Sequence, residues 1–100
     1  MSYFTIKKIE KWSKNKETSR LIDALNSEDS EIRKASILSL GSIGDAVALE
    51  SLQYIIDNDT DEFVKMTAEQ AIVNIRKIGI DTRINLEPIQ LKLAYNLNIS

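Results

Sequence analysis

The sequence predicts an all-α protein, a short α-solenoid of about two helix-pair repeats, and two observations carry this prediction. Apolar residues recur at helical spacings of three and four, and the pattern itself repeats along the chain. The segment Leu21–Leu25 matches Leu52–Ile56 at an offset of 31, and Ile32–Ser36 matches Val64–Ala68 at an offset of 32. A repeat of this length is typical of helical solenoids.

Each unit contains two predicted helices, and a further helix over residues 3–14 precedes them. Ile6, Ile9 and Trp12 recur near one side of this first helix, which we expect to cover the open end of the array with Trp12 in its core. The chain is predicted to form one domain, 1–100. It divides into an N-terminal cap (1–16), repeat 1 (17–44), repeat 2 (45–79) and a C-terminal appendage (80–100).

Glycines and acidic turns mark the predicted helix boundaries. We expect Gly41 and Gly44 to end the first long helix and Gly79 to end the second. The turns at 26–30 and 57–61 contain side-chain oxygens that can cap the following helices, and Asp59 with Glu62 has the spacing of a capping box. Small residues within the second helix of each unit predict a close approach of neighbouring helices.

The C-terminal segment departs from the repeat. Asp81 to Arg83 and Pro88 suggest a break from the array, after which every odd position from Ile89 to Ile99 is apolar. This alternation favours an extended strand with one apolar face. A helix that uses Leu86, Ile89, Leu93 and Leu97 is the alternative. The segment is expected either to fold back over the last helix, which would bury Leu91, Leu93 and Leu97, or to present its apolar face to a partner.

The composition excludes several kinds of chemistry. The chain has no His and no Cys, so it cannot contain a Ser-His-Asp triad, a thiolate nucleophile or a zinc site of the usual ligands. We expect no enzyme activity, no catalytic residues, no cofactor and no metal. The absence of cysteine, of a signal peptide and of a membrane span predicts a cytoplasmic protein without a membrane partner.

The acidic turn at 57–61 is a candidate calcium loop, because alternate carboxylates open an EF-hand motif. That motif then needs Gly at its sixth place and Glu at its twelfth, where this chain has Glu62 and Ala68. Helix capping is therefore the preferred interpretation of the turn.

Charge is distributed unevenly along the chain, which has a net charge of −2. The first 20 residues are basic and the middle is acidic. Lys7, Lys8, Lys11 and Lys14 recur at helical spacing, as a phosphate-binding stripe should, although the acidic middle makes a nucleic-acid partner unfavourable. A solvated lysine face and contact with an acidic protein are the other interpretations.

The units resemble the HEAT-like repeats of phycobilisome-lyase-type proteins. Ile32-Arg33, Ala35 and the run from Leu40 to Asp45 fit the second half of that repeat, and the resemblance covers about residues 17–79. It implies an α-solenoid in which Asp and Arg side chains link neighbouring units, at the positions of Asp29, Asp61, Arg33 and Lys65. Family members include bilin-attachment helpers, a DNA glycosylase type and a di-iron hydroxylase, and the absence of His excludes the last.

The repeat and the missing catalytic residue types predict a non-enzymatic protein-interaction, scaffold or adaptor module. We expect a protein partner to contact the second helices, about residues 30–43 and 62–78, and the C-terminal segment. The alternatives are a nucleic-acid-associated module that uses the lysine stripe, and self-assembly into a homo-oligomer through the C-terminal segment. The predicted contact residues are Arg33, Lys34, Ser36, Lys65, Glu69, Arg76, Leu91, Leu93, Tyr95 and Leu97.

Overall fold

A computed structural model describes residues 3–86, with side chains described as far as residue 80. Five α-helices and one short 3-10 helix follow one another, and the described part of the chain contains no strand. The all-α prediction is therefore confirmed. The helices are α1 (Ile6–Lys14), α2 (Thr18–Ala24), α3 (Ser30–Ile43), α4 (Leu49–Asn58) and α5 (Glu62–Leu86), with the 3-10 helix at Ala46–Ala48.

The two predicted repeats are two helix pairs. In the first unit α2 packs against α3, in the second α4 packs against α5, and the second helices α3 and α5 pack against each other. Leu21, Leu40, Leu52 and Val64 have no solvent exposure, so each helix of both units contributes to one core. Burial of the periodic apolar stripes is the force that stacks the units.

Helix α1 packs on both α2 and α3. Ile9 and Trp12 are buried, as predicted, whereas Ile6 is 45% exposed. The Trp12 ring meets the Phe4 ring edge-on, with 6.1 Å between centroids, and the Arg20 guanidinium lies 5.7 Å from the Trp12 centroid. The predicted core position of Trp12 is confirmed.

Helix α1, like α3, is followed by a residue with left-handed backbone, although that residue is a lysine and not a glycine. Lys16 has φ of 54°, and the N–H of Glu17 donates to the carbonyl of Trp12 at 2.8 Å, which closes a left-handed helix end. Gly44 holds the corresponding place at the end of α3 with φ of 79°, which confirms its predicted role. A lysine in this conformation is strained, because its Cβ crowds the backbone.

The predictions for the other two glycines are wrong. Gly41 lies inside α3, where an added Cβ would be 3.1 Å from both Cα and Cβ of Ala71 in α5. The residue permits the close approach of second helices that the small residues predicted. Gly79 also lies inside α5. A glycine ends a helix where its backbone turns left-handed, and the backbone at Gly79 remains helical.

Helix α5 also continues through residues 81–83, where a break was predicted, and therefore crosses the expected boundary at residue 80. Helix α5 is described as far as Leu86. Residues 87–100, including the predicted strand or helix, lie outside the described part of the chain.

Acidic side chains cap α3 and α5 as expected, but the capping box is not formed. Asp29 Oδ1 accepts from the N–H of Glu31 at 2.9 Å. At α5 the cap is Asp61, whose Oδ1 accepts from the N–H of Phe63 at 2.8 Å. Asp59 instead accepts from the N–H of Asp61 and binds Arg33, so it is not free to pair with Glu62.

We expect alanine to have opposite effects at the two helical glycines. Gly41→Ala should lower the free energy of unfolding by about 1–2 kcal/mol, because the Ala71 backbone cannot move away without separating α3 from α5. Gly79→Ala should raise it by about 0.5–1 kcal/mol, because no atom of the described residues lies within 4 Å and alanine favours a helix. Urea denaturation followed by circular dichroism measures both. A loss of stability at Gly79→Ala contradicts a continuous α5.

We expect Lys16→Gly to stabilise the protein by about 1 kcal/mol, because glycine removes the left-handed strain at the end of α1. The thermal unfolding midpoint measures this gain. Lys14→Gly, inside the same helix, should have the opposite sign and serves as the matched control.

Candidate interaction surface

The second helices expose one face that stacking does not use. The 32-residue offset places Glu31, Lys34 and Leu38 of α3 at the same helical positions as Phe63, Met66 and Gln70 of α5. None of the six is buried. We call these six residues the second-helix face.

Three large apolar side chains dominate the second-helix face. Leu38 is 62% exposed, Met66 61% and Phe63 70%. On α3 this face lies opposite Ser36, whose hydroxyl donates to the Leu21 carbonyl of α2, so it points away from the first helices. Sequence reasoning missed these three residues because it followed the buried stripe. Their off-stripe spacing, with Phe63 and Met66 three apart, was the available signal.

A groove between α1 and α3 adjoins the second-helix face. Ile6, Ala35, Leu38 and Ser39 line it, with Ile9, Glu10, Ser13 and Lys14 along α1, and its volume is about 470 Å³. Leu38 belongs to both features, so apolar surface continues from the face into the groove.

Lys34 is the one predicted contact residue that lies on the second-helix face. Its ammonium group lies 2.8 Å from the carboxylate of Glu31, one turn earlier on the same helix. This hydrogen bond raises the pKa of Lys34 above its ordinary value. The pair is available to a partner, because both groups lie at the surface.

Arg33, also a predicted contact residue, joins the two units. Its Nε donates to Asp59 Oδ2 at 2.8 Å and its Nη2 to Asp59 Oδ1 at 3.1 Å, a bidentate pair between α3 and the turn before α5. Its Nη1 donates to the carbonyls of Ser27 and Glu28 at 2.9 and 3.0 Å. The predicted link between units exists, but its acidic partner is Asp59 rather than Asp29 or Asp61.

Burial raises the pKa of Asp59, but the Asp61 N–H and the Arg33 guanidinium act in the opposite direction and outweigh it. The pKa of Asp59 therefore lies below its ordinary value of 3.8. Its side chain is 5% exposed and that of Arg33 14%, so solvent screens the pair only weakly.

The prediction that Ser36 faces outward is wrong. Ser36 has no solvent exposure, and its hydroxyl donates to the backbone carbonyl of Leu21 within the core. A hydroxyl at this position fits because it satisfies a carbonyl of α2 while leaving the helices close together.

Lys65, Glu69 and Arg76 lie on the side of α5 that corresponds to the stacking side of α3. The offset of 32 relates them to Arg33, Ile37 and Gly44. Glu69 and Arg76 are exposed, and Lys65 Nζ lies 3.5 Å from Glu62 Oε1. They occupy the C-terminal end of the array, so the structure does not bring them together with Lys34. Leu91, Leu93, Tyr95 and Leu97 lie outside the described residues.

Three lysines of the predicted stripe are exposed and one is engaged. Lys7, Lys11 and Lys14 are exposed on α1. Lys8 Nζ donates to the carbonyl of Tyr3 at 2.8 Å and lies 3.9 Å from the centroid of its ring. The lysines available for a partner are therefore Lys7, Lys11 and Lys14, of which Lys14 lines the α1–α3 groove.

Within residues 3–80 no three His, Cys, Asp or Glu side chains are arranged to hold a metal ion. In that same range no helix combines the length and the apolar character needed to cross a bilayer.

Comparison with known proteins places the repeat in a family. A family model described as HEAT repeats matches residues 3–73. The chain belongs to the HEAT-repeat family. The match includes α1, in agreement with the helix end that α1 shares with α3, and it leaves the phycobilisome-lyase type unconfirmed. Neither the curated proteins nor the solved structures gave a match. HEAT repeats generally mediate protein–protein interaction or scaffolding.

We expect Asp59→Asn to lower the free energy of unfolding by about 1.5–3 kcal/mol at neutral pH, because it removes the charge that Arg33 binds. A carboxyl group whose pKa is lower in the folded protein than in the unfolded chain stabilises the fold at pH values above the unfolded-state pKa. This stabilisation is lost as the pH falls through the folded-state pKa. The difference from wild type should therefore be constant above about pH 5 and shrink below pH 3.8.

Urea denaturation between pH 2 and pH 7 measures this difference. Asp57→Asn is the matched control, because Asp57 lies two residues earlier, in the last turn of α4, is exposed, and bonds only to Gln53 in the contacts described. An equal pH dependence in both variants contradicts the assigned role of Asp59.

Proposed function

We propose that this protein is a non-enzymatic interaction module that binds a protein partner through the second-helix face and the α1–α3 groove. The observation that carries the proposal is the exposure of Leu38, Phe63 and Met66, each above 60%, on a face that stacking leaves free. Single exposed apolar residues are ordinary on a protein surface. Here they occupy related positions on two stacked helices, and one of them extends into a groove.

The energetics of such a face favour association with a protein. Burial of apolar surface contributes roughly 25 cal/mol per Å², and large side chains near the centre of an interface contribute most of the binding energy. Leu38 lies where the face and the groove meet, so a partner side chain in the groove would contact it. We therefore place the centre of the interface at Leu38.

The surroundings of the groove indicate the chemistry of the partner. Lys14 lines the groove together with Glu10, and Lys7 and Lys11 are exposed on the same helix, so basic side chains outnumber the acidic one on α1. A partner that presents an apolar side chain flanked by carboxylates would match this arrangement, and opposite charge would raise its association rate. Binding of this kind needs no acid–base or nucleophilic group, in keeping with a family that is generally non-enzymatic.

We expect Leu38→Asp to weaken partner binding about tenfold or more, because it places a charge at the apolar centre of the interface. The measurement is affinity purification with the full chain as bait, followed by quantitative mass spectrometry and titration of each specifically retained protein. Val47→Asp is the matched control, since Val47 is 67% exposed but lines a groove between α2 and α4 instead.

A supporting result is one retained protein whose affinity falls with Leu38→Asp and is unchanged with Val47→Asp, while circular dichroism shows both variants folded. Equal retention by the two variants contradicts the assignment of the interface. Retention of nucleic acid that weakens steeply with salt would favour the lysine stripe instead.

A further inference from the structure

The C-terminal end of the array contains an apolar groove that no described residue covers. Ala46, Leu49, Ile75, Gly79 and Ile80 line it, with Arg76 at the rim, and its volume is about 340 Å³. Ile80 is 54% exposed and Leu49 is half-buried, whereas Ile75 is buried at the base. The groove lies between the start of α4 and the C-terminal half of α5.

The repeat shows that this end corresponds to a covered surface in the first unit. Ile37 of α3 is fully buried, and Gly41 lies against Ala71 of α5. The offset of 32 relates these two residues to Glu69 and Val73. Both are exposed, and Val73 by 56%. The surface is thus charged near the start of α5 and apolar toward its end.

Helix α5 extends this apolar surface beyond the length that the repeat requires. Ile43, the last residue of α3, corresponds to Ile75, but α5 continues to Leu86. On one side of the extension Ile78 packs toward α3, since a Cβ on Gly44 would lie 2.8 Å from its Cδ1. Ile80 lies on the other side, in the groove.

We propose that residues 87–100 of the same chain cover this groove and take the place that a third unit would occupy. The segment is suited to an apolar site because it contains only two charged side chains, Glu87 and Lys92. Its large apolar residues alternate with polar ones and are Ile89, Leu91, Leu93, Tyr95, Leu97 and Ile99.

The segment can reach the groove without rearrangement of the helices. Ile80 lies six residues before Leu86 on α5, which corresponds to about 9 Å along the helix axis. Fourteen further residues span up to about 46 Å when extended and about 21 Å when helical. Pro88 cannot continue the hydrogen bonds of α5, so a change of chain direction follows naturally at this point.

Covalent attachment favours this segment over a second copy of the chain. A segment joined directly to α5 is present at an effective concentration in the millimolar range, without the entropy cost of association. The α1–α3 groove lies at the opposite end of the array, so this cover and the proposed partner interface occupy different surfaces.

A spin label on the full-length chain tests the proposal. The sequence has no cysteine, so Asn96→Cys provides a unique attachment site at a polar position of the segment. We expect the label to broaden the amide resonances of residues 46–50 and 75–80 and to leave those of α1 sharp. Broadening that is absent or uniform overturns the proposal.

Two further measurements distinguish the occupant and the site. In the first, spin-labelled chain without isotope enrichment is mixed with isotope-enriched wild type that has no spin label. Broadening at the same residues of the wild type then identifies a second copy as the occupant and overturns the proposal. In the labelled chain, Ile80→Gln should abolish the broadening at Leu49, whereas Met66→Gln, on the same helix but outside the groove, should preserve it. Preservation in both variants also overturns it.

Discussion

The contact between α3 and α5 is the interaction on which the rest of the structure depends. Without it, each helix pair would have one apolar side in water, because a single unit of this size cannot enclose its own core. Arg33 and Asp59 hold the first turns of the contact with a bidentate ion pair, and Gly41 lets the middle of α3 approach Ala71. The left-handed backbone at Gly44 then turns the chain toward α4 while Ile78 packs against it.

This contact also decides which residues are available for function. Arg33 and Ser36 look like surface residues in the sequence, yet one joins the units and the other bonds a core carbonyl. Leu38 and Met66 lie outside the buried stripe and remain exposed. The proposed interface is therefore the surface that stacking leaves over, and its apolar content is what distinguishes it from an ordinary solvated face.

The two ends of the array face the same physical problem. At the N-terminal end α1 covers the first unit with Ile9 and Trp12, and its helix end reproduces that of α3 despite the strain at Lys16. At the C-terminal end Glu69 occupies the position that corresponds to the buried Ile37 and places a charge there, but Val73 and Ile80 keep apolar surface nearby. The charge of Glu69 thus makes one part of this end compatible with water, and residues 87–100 are proposed to cover the part that remains apolar.

The sequence by itself determined the helices, the 32-residue repeat, the buried stripe and the absence of His and Cys chemistry, because helical periodicity and composition are local properties. It also predicted the close approach of second helices from their small residues. Only the tertiary structure decided the partner of Arg33, the burial of Ser36, the contact of Gly41 with Ala71, and the exposure of Leu38. Each of these depends on which neighbouring helix faces the residue and how closely, and sequence spacing alone does not specify that distance.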